Sequence, residues 1–204
     1  LEHKGILGTG IVRIFDMTIA QTGLTEKEAI DLDIDIDVLH NVKPNRPEYM
    51  QGQEMVIKAI FDKNNSKLLG AQIIGYEGVD KRIDVLATAI TFGAHAEDLF
   101  HLDLAYAPPF STTKDPVIYT GMIGHNITRG RKIITPEEVI KQNNDLLILD
   151  VRSPKQFEVD HVDGAINVPL KMLRSYAKTL DKNQKIEIFT LPVTSKKHSS
   201  YFLI

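Results

Sequence analysis

The sequence predicts an α+β domain, an antiparallel sheet with helices, followed by a partial α/β domain. Three observations carry this. Glu54 to Phe61 alternates, with Met55, Ile57 and Ala59 against Glu54, Val56 and Lys58, and after the turn Asp62-Lys63-Asn64-Asn65-Ser66-Lys67 the stretch Leu68 to Gly75 returns as a strand, the pattern of a β-hairpin. Val79, Ile83, Leu86 and Ile90 then fall on one helical stripe, with Val85, Ala89 and Phe92 beside it. Past residue 133, a short all-apolar run, Leu146 to Leu149, ends in Asp150 and alternates with capped helical segments, as strands of a parallel sheet do.

Length and composition narrow the function. The chain has 204 residues, room for two small domains, and a formal net charge of −3, against the basic excess of a nucleic-acid binder. No apolar run is long enough to span a bilayer and no signal peptide is visible, so no membrane association is expected and the cytoplasm is the default location. Cysteine is absent, which excludes disulfides, thiolate metal sites and a Cys nucleophile from these residues.

The glycines of Gly5-Ile6-Leu7-Gly8-Thr9-Gly10 invite a phosphate-loop reading, but that motif needs a strand before it and a helix after it. Here strand-like Ile11 to Phe15 follows. Thr25 and Glu28 have the spacing of a capping box and open a short helix to about Asp31. Asp31 to Val38 alternates with period two and reads as a strand. Its aspartates do not make a calcium loop, because the sixth position from Asp33 is Val38 rather than Gly, and the closing Glu position is Pro44. Residues 43–52 read as a loop.

The helix over 79–92 is apolar across a wide arc, so both sides are expected to bury. Lys81 and Arg82 open it and read either as a surface pair or as an anion contact. His95 and His101, six apart, point to different faces of any helix, so no metal site is expected there. Leu102 to Tyr106 reads as a strand-like approach to Ala107-Pro108-Pro109-Phe110-Ser111. Two prolines fix two φ angles, and Pro108 pushes Ala107 towards extended geometry. The result is a stiff turn that holds Tyr106 and Phe110 in place, either against the core or presented to a partner. Asp115-Pro116 starts a helix through Met122 and Ile123, and 127–132 reads as a linker. Thr135-Pro136-Glu137-Glu138 and Ser153-Pro154-Lys155-Gln156 are further helix starts.

Several of these blocks together carry a resemblance. Gly8 to Asp16, Gly70 to Gly75, Gly78 to Ala87, Tyr106 to Ser111 and Lys114-Asp115-Pro116 resemble the C-terminal dimerisation domain of flavoprotein disulfide reductases, in the branch of coenzyme A-disulfide reductase and NADH oxidase. Asp150-Val151-Arg152-Ser153-Pro154 and His161-Val162-Asp163-Gly164-Ala165-Ile166-Asn167-Val168-Pro169 resemble the first half of a rhodanese domain. The expected organisation is therefore a dimerisation domain over 1–126, a linker, and a truncated rhodanese-like domain over 133–204.

The resemblance implies a homodimer in which Tyr106 reaches the partner's flavin and redox Cys. Tyr49 falls near the family's second such tyrosine, although Met50 and Gln51 depart from the family's pattern there. Pro108, Pro109 and Phe110 would lie against the cofactor. Lys81 and Arg82 would meet the phosphates of a coenzyme A-type substrate. FAD and NAD(P)H belong to the parent protein, whose flavin and nicotinamide domains would precede Leu1, so the chain alone is expected to bind neither. In the rhodanese-like half, Asp150, Arg152 and His161 would line the pocket. The nucleophilic Cys position falls at about Thr190, whose hydroxyl is far less acidic than a thiol. That half is expected to be incomplete and inactive. Two other functions stay open: a rhodanese-type sulfurtransferase and a non-catalytic binding or assembly scaffold.

Overall fold

A computed structural model describes residues 5–131, 146–190 and 202–203. The chain divides into two compact units, the second starting at Arg131.

The first unit is built on a five-stranded antiparallel sheet: β1 (Gly10–Ile14), β2 (Met17–Gly23), β3 (Ile36–Pro44), β4 (Glu54–Asp62) and β5 (Leu68–Gly75). Their order across the sheet is β1-β2-β5-β4-β3. The β4–β5 hairpin forms where the period-two pattern places it. Met55, Ile57 and Ala59 point inwards. A register shift between Ile60 and Phe61 lets both bury, as a bulge does by turning one residue over.

Strand β2 was not evident from sequence because its core-facing positions are Ala20 and Thr22, too small and polar to mark a period. Strand β3 differs from its expected span. Helix α1 (Glu26–Asp31) is capped by Thr25 and Glu28 as the sequence indicates. Its exit, however, takes up the aspartates: Asp33 adopts φ 56° and the Ile34 N–H returns to the Ala29 carbonyl. The strand therefore starts at Ile36. It continues to Pro44 because β3 is an edge strand, where a missing N–H is tolerated.

Helices α2 (Val79–Thr91), α3 (Ala96–Phe100) and α4 (Pro116–Thr128) complete this unit. Val79, Ile83, Leu86, Leu99 and Val117 join the inward residues of β4 and β5 in one core. Helix α2 buries one face only, with Asp84 and Thr88 exposed and Phe92 84% exposed, so the expectation of burial on both sides is corrected. Helix α4 runs to Thr128, which takes the start of the expected linker into the helix. Leu102 to Ala107 forms no strand.

The opposite face of the sheet carries a continuous apolar row. Val12 lies opposite Ile19, Ile19 opposite Ile74, Ile74 opposite Val56, and Val56 opposite Val42. Val12, Ile74 and Val56 are exposed.

The second unit has β6 (Leu146–Asp150), β7 (Ile166–Asn167), β8 (Lys185–Thr190) and β9 (Phe202–Leu203) in the order β7-β6-β8-β9. Strand β6 is parallel to both β7 and β8, while β9 is antiparallel to β8. Helices α5 (Pro154–Val159) and α6 (Leu170–Tyr176) connect them, so the alternation of an α/β domain is present. The helix start expected at Thr135 lies outside the described residues.

Candidate functional site

Three segments of the first unit converge on one guanidinium. Arg82 is 2% exposed, on the inner face of α2. Its Nε and Nη2 donate to the Asp115 carboxylate at 2.8–3.3 Å. Nη2 also reaches the Asn45 carbonyl at 3.0 Å and the Ser111 hydroxyl at 3.3 Å, and Nη1 reaches the Gly78 carbonyl at 3.1 Å. An ion pair this deeply buried stands only when its remaining donors and lone pairs are satisfied, and here they are. Gly78 is required at the start of α2, with φ 74° and a position where any Cβ would overlap Arg82 Nη1.

Asp115 serves both ends of the network. Its Oδ1 accepts the Val117 N–H and so caps α4, and its Oδ2 accepts the Ser111 hydroxyl at 2.8 Å. Burial alone would raise its pKa. The hydrogen bonds and charge of Arg82, with the Val117 N–H and the Ser111 hydroxyl, outweigh burial and hold the carboxyl below the ordinary aspartate value.

The same segments line an open cleft of about 480 Å³. Arg46 comes from the loop after β3, Glu77 from the turn before α2, Lys81 from α2 itself, and Tyr106, Pro109 and Phe110 from the proline turn. The turn closes through the Phe110 and Ser111 N–H groups on the Ala107 carbonyl, at 2.9 and 3.1 Å. Tyr106 is 47% exposed and Phe110 72% exposed, so neither side chain is packed into the core. Pro108 is half-buried. Arg46 bonds the Glu77 carboxylate at 2.6 Å. Lys81 is half-buried at the cleft wall.

The structure separates the residues that sequence grouped. Arg82 belongs neither to a surface pair nor to an anion site open to solvent, because its donors are spent inside the protein. Tyr49 is 74% exposed in a 3₁₀ turn over Glu48–Met50 and is not among the residues lining the cleft. Asn45, Ser111 and Asp115 were missed. Asp115 was legible as a helix start, but nothing in a single sequence signals its pairing with a residue on another helix.

In the second unit, Asp150 and Arg152 are a buried pair. Arg152 Nε and Nη2 donate to the Asp150 carboxylate at 2.5–3.0 Å, and Nη2 also reaches the Asp160 carbonyl at 2.6 Å. The Asn167 amide bridges the Asp150 and Arg152 carbonyls. His161 is exposed and turns to Phe157 instead, stacking at 4.0 Å with Nδ1 2.9 Å from its carbonyl. Among the described residues, Asp150 and Arg152 pair with each other, while His161 packs on Phe157. Asp150 and Arg152 organise the end of β6, and His161 closes α5.

Comparison with known proteins agrees with this architecture. The pattern of the pyridine nucleotide-disulphide oxidoreductase dimerisation domain matches residues 10–116, and that of a rhodanese-like domain matches residues 135–201. The chain is 40% identical over 119 residues to the CoA-dependent NAD(P)H sulfur oxidoreductase of Pyrococcus furiosus, covering 58% of this chain and 27% of that protein. It is 35% identical over 122 residues to a coenzyme A disulfide reductase of Staphylococcus epidermidis, covering 59% and 27%. Among solved structures, reduced Bacillus anthracis CoADR-RHD superposes with a TM-score of 0.80 at 37% identity, over 91% of this chain and 34% of that one. An NAD-dependent persulfide reductase from A. fulgidus superposes with a TM-score of 0.74 at 34% identity, over 90% and 33%. The chain thus spans about a quarter to a third of the length of these proteins. With its antiparallel sheet and the proline turn inside the matched span, it belongs to the family of the pyridine nucleotide-disulphide oxidoreductase dimerisation domain.

Proposed function

We propose that this chain is the dimerisation and active-site-completing part of an FAD-dependent NAD(P)H:coenzyme A-disulfide or persulfide reductase that works as a cytoplasmic homodimer and carries a rhodanese-like fusion. The observation that carries this reading is Tyr106: a phenol on a rigid double-proline turn, half-exposed at the mouth of a cleft that also holds Lys81. A fixed phenol donates a hydrogen bond to a sulfur or oxygen species, or acts as a weak general acid. Lys81 is the cation placed to meet a substrate phosphate, a part that the buried Arg82 does not play.

The first unit fits the rim of a flavin site rather than a whole cradle. Pro109 and Phe110 offer an exposed apolar edge beside Tyr106, and the glycines near the start lead into β1 rather than into a helix N-terminus. The flavin, when bound in the parent protein, supplies the electron transfer from the nicotinamide. The residues of this chain shape and close the site around it. The rhodanese-like unit, with Thr190 where the nucleophile would stand, transfers no sulfur.

The test is Tyr106→Phe in the flavin-loaded parent protein. Loss of one hydrogen bond to a charged species lowers coenzyme A disulfide turnover about tenfold or more. Turnover equal to that of the unaltered protein would overturn the reading.

A further inference from the structure

We propose that Arg82 is a positioning residue for the cleft: its buried guanidinium sets the proline turn, the loop after β3 and the start of α2 in fixed register, and so fixes where Tyr106 stands. The inference deepens the proposed function and rests on that reading for its importance to turnover, though not for its geometry.

Each of the three segments contributes residues to the cleft, and each is tied to Arg82 by a different donor or partner. Nη1 holds the Gly78 carbonyl at 3.1 Å, next to Glu77 and three residues before Lys81. Nη2 holds the Asn45 carbonyl at 3.0 Å, next to Arg46. The Asp115 carboxylate and the Ser111 hydroxyl anchor the far end of the turn that carries Tyr106, Pro109 and Phe110. Asn45 adds a second tie, with its Oδ1 accepting the Gln53 N–H at 2.8 Å and its Nδ2 donating to the Glu77 carbonyl at 3.2 Å. Arg46 adds a third, its Nε donating to the Met50 carbonyl while its other end bonds Glu77.

The arrangement exceeds what a structural ion pair needs. Asp115 alone would satisfy the charge of Arg82, yet the planar fork spreads its donors over two backbone carbonyls and a hydroxyl that belong to separate segments. Lysine, with a single nitrogen at the end of a flexible stem, does not reproduce that span. The loop after β3 is closed on itself by the Asn45 N–H on the Gln53 carbonyl at 2.9 Å, and the proline turn by bonds to the Ala107 carbonyl; the guanidinium is a point at which these separately closed segments meet.

The test uses the full chain with 3-fluorotyrosine at its tyrosines, each resonance assigned by Tyr→Phe substitution, together with amide hydrogen exchange. Measurements are made well below the melting temperature. In Arg82→Lys, the Tyr106 resonance is expected to shift or broaden while that of Tyr119, on α4, stays in place. Amide exchange is expected to rise about tenfold in 45–53 and 107–111, against no change in β4 and β5. If Arg82→Lys does not fold, Ser111→Ala removes only that hydroxyl's two bonds, from Arg82 and to Asp115, and the change is then expected in 107–111 and at Tyr106 alone.

A lower melting temperature with an unmoved Tyr106 resonance and unchanged exchange in both segments would overturn the proposal and leave Arg82 as a core ion pair. This outcome is separable from failure of the functional reading. If Tyr106→Phe leaves turnover intact in the parent protein, the tyrosine has no chemical role, whatever Arg82 does to its position.

Discussion

Asp115 caps the helix that follows it and, with the same carboxylate, receives the guanidinium of Arg82 at 2.8 Å, both side chains all but sealed from solvent. Because the folded pKa of Asp115 lies below its unfolded value, the ionised form stabilises the native state at any pH above about 4, the ordinary aspartate value. That contribution is lost as the pH falls through the folded value. Urea unfolding between pH 2 and 6 checks this: Asp115→Asn is expected to be destabilised at the upper end and to show a shallower acid loss than the natural chain. Equal acid slopes would assign the loss to other carboxylates.

Removing the other partner leaves the charge behind. Arg82→Met is expected to cost about 3–5 kcal/mol at neutral pH, the range for an uncompensated buried charge. The cost shrinks in acid, where Asp115 takes up a proton. Denaturant melts followed by far-UV circular dichroism at neutral pH and near pH 3 compare the two values. A cost that does not change with pH would mean that lost packing, not charge, is responsible.

Gly70 sits where β5 passes the end of β2, and a Cβ there would overlap the backbone of Leu24. Backbone cannot swing aside as a side-chain tip does. Gly70→Ala is therefore expected to destabilise the first unit by about 2 kcal/mol or more, as overpacking does. Gly130→Ala is the contrast: its Cβ meets nothing within 4 Å, and only its φ of 78° resists the change. Thermal melts of both variants give the ordering, which is the prediction.

In the second unit, Asp150→Asn leaves Arg152 charged and buried. A loss of about 3 kcal/mol is expected, confined to that unit. Amide exchange reports the two units separately, which a single melting curve does not. Protection is expected to fall in β6 and β8 and to hold in β4 and β5. Loss in both sets would show that the units unfold as one.

Strong local signals made much of this structure legible from sequence. The β4–β5 hairpin, the Thr25 and Asp115 helix starts and the apolar strand ending at Asp150 each announce themselves in one local stretch of chain. The resemblance added the order of the two domains, and the matched spans agree with it. What was not legible depends on distance in the chain. Strand β2 is fixed by its partner β5 rather than by its own pattern. The role of Arg82 was ambiguous because an arginine at a helix start reads the same whether it faces water or a carboxylate brought in from another helix. Tyr49 and Tyr106 were grouped by resemblance, and the fold places only Tyr106 at the cleft.

The strand order β1-β2-β5-β4-β3 also sets a sequence of events in time. The β1–β2 and β4–β5 hairpins, and the β3–β4 pair, close short loops and are cheap to start. The β2–β5 pairing, Thr18 opposite Gly75 through Gly23 opposite Gly70, must close the long loop that contains β3, β4 and α1. Its entropy is spent before the sheet becomes continuous. We expect that seam to be the slow step of the first unit, so that changes along it slow refolding.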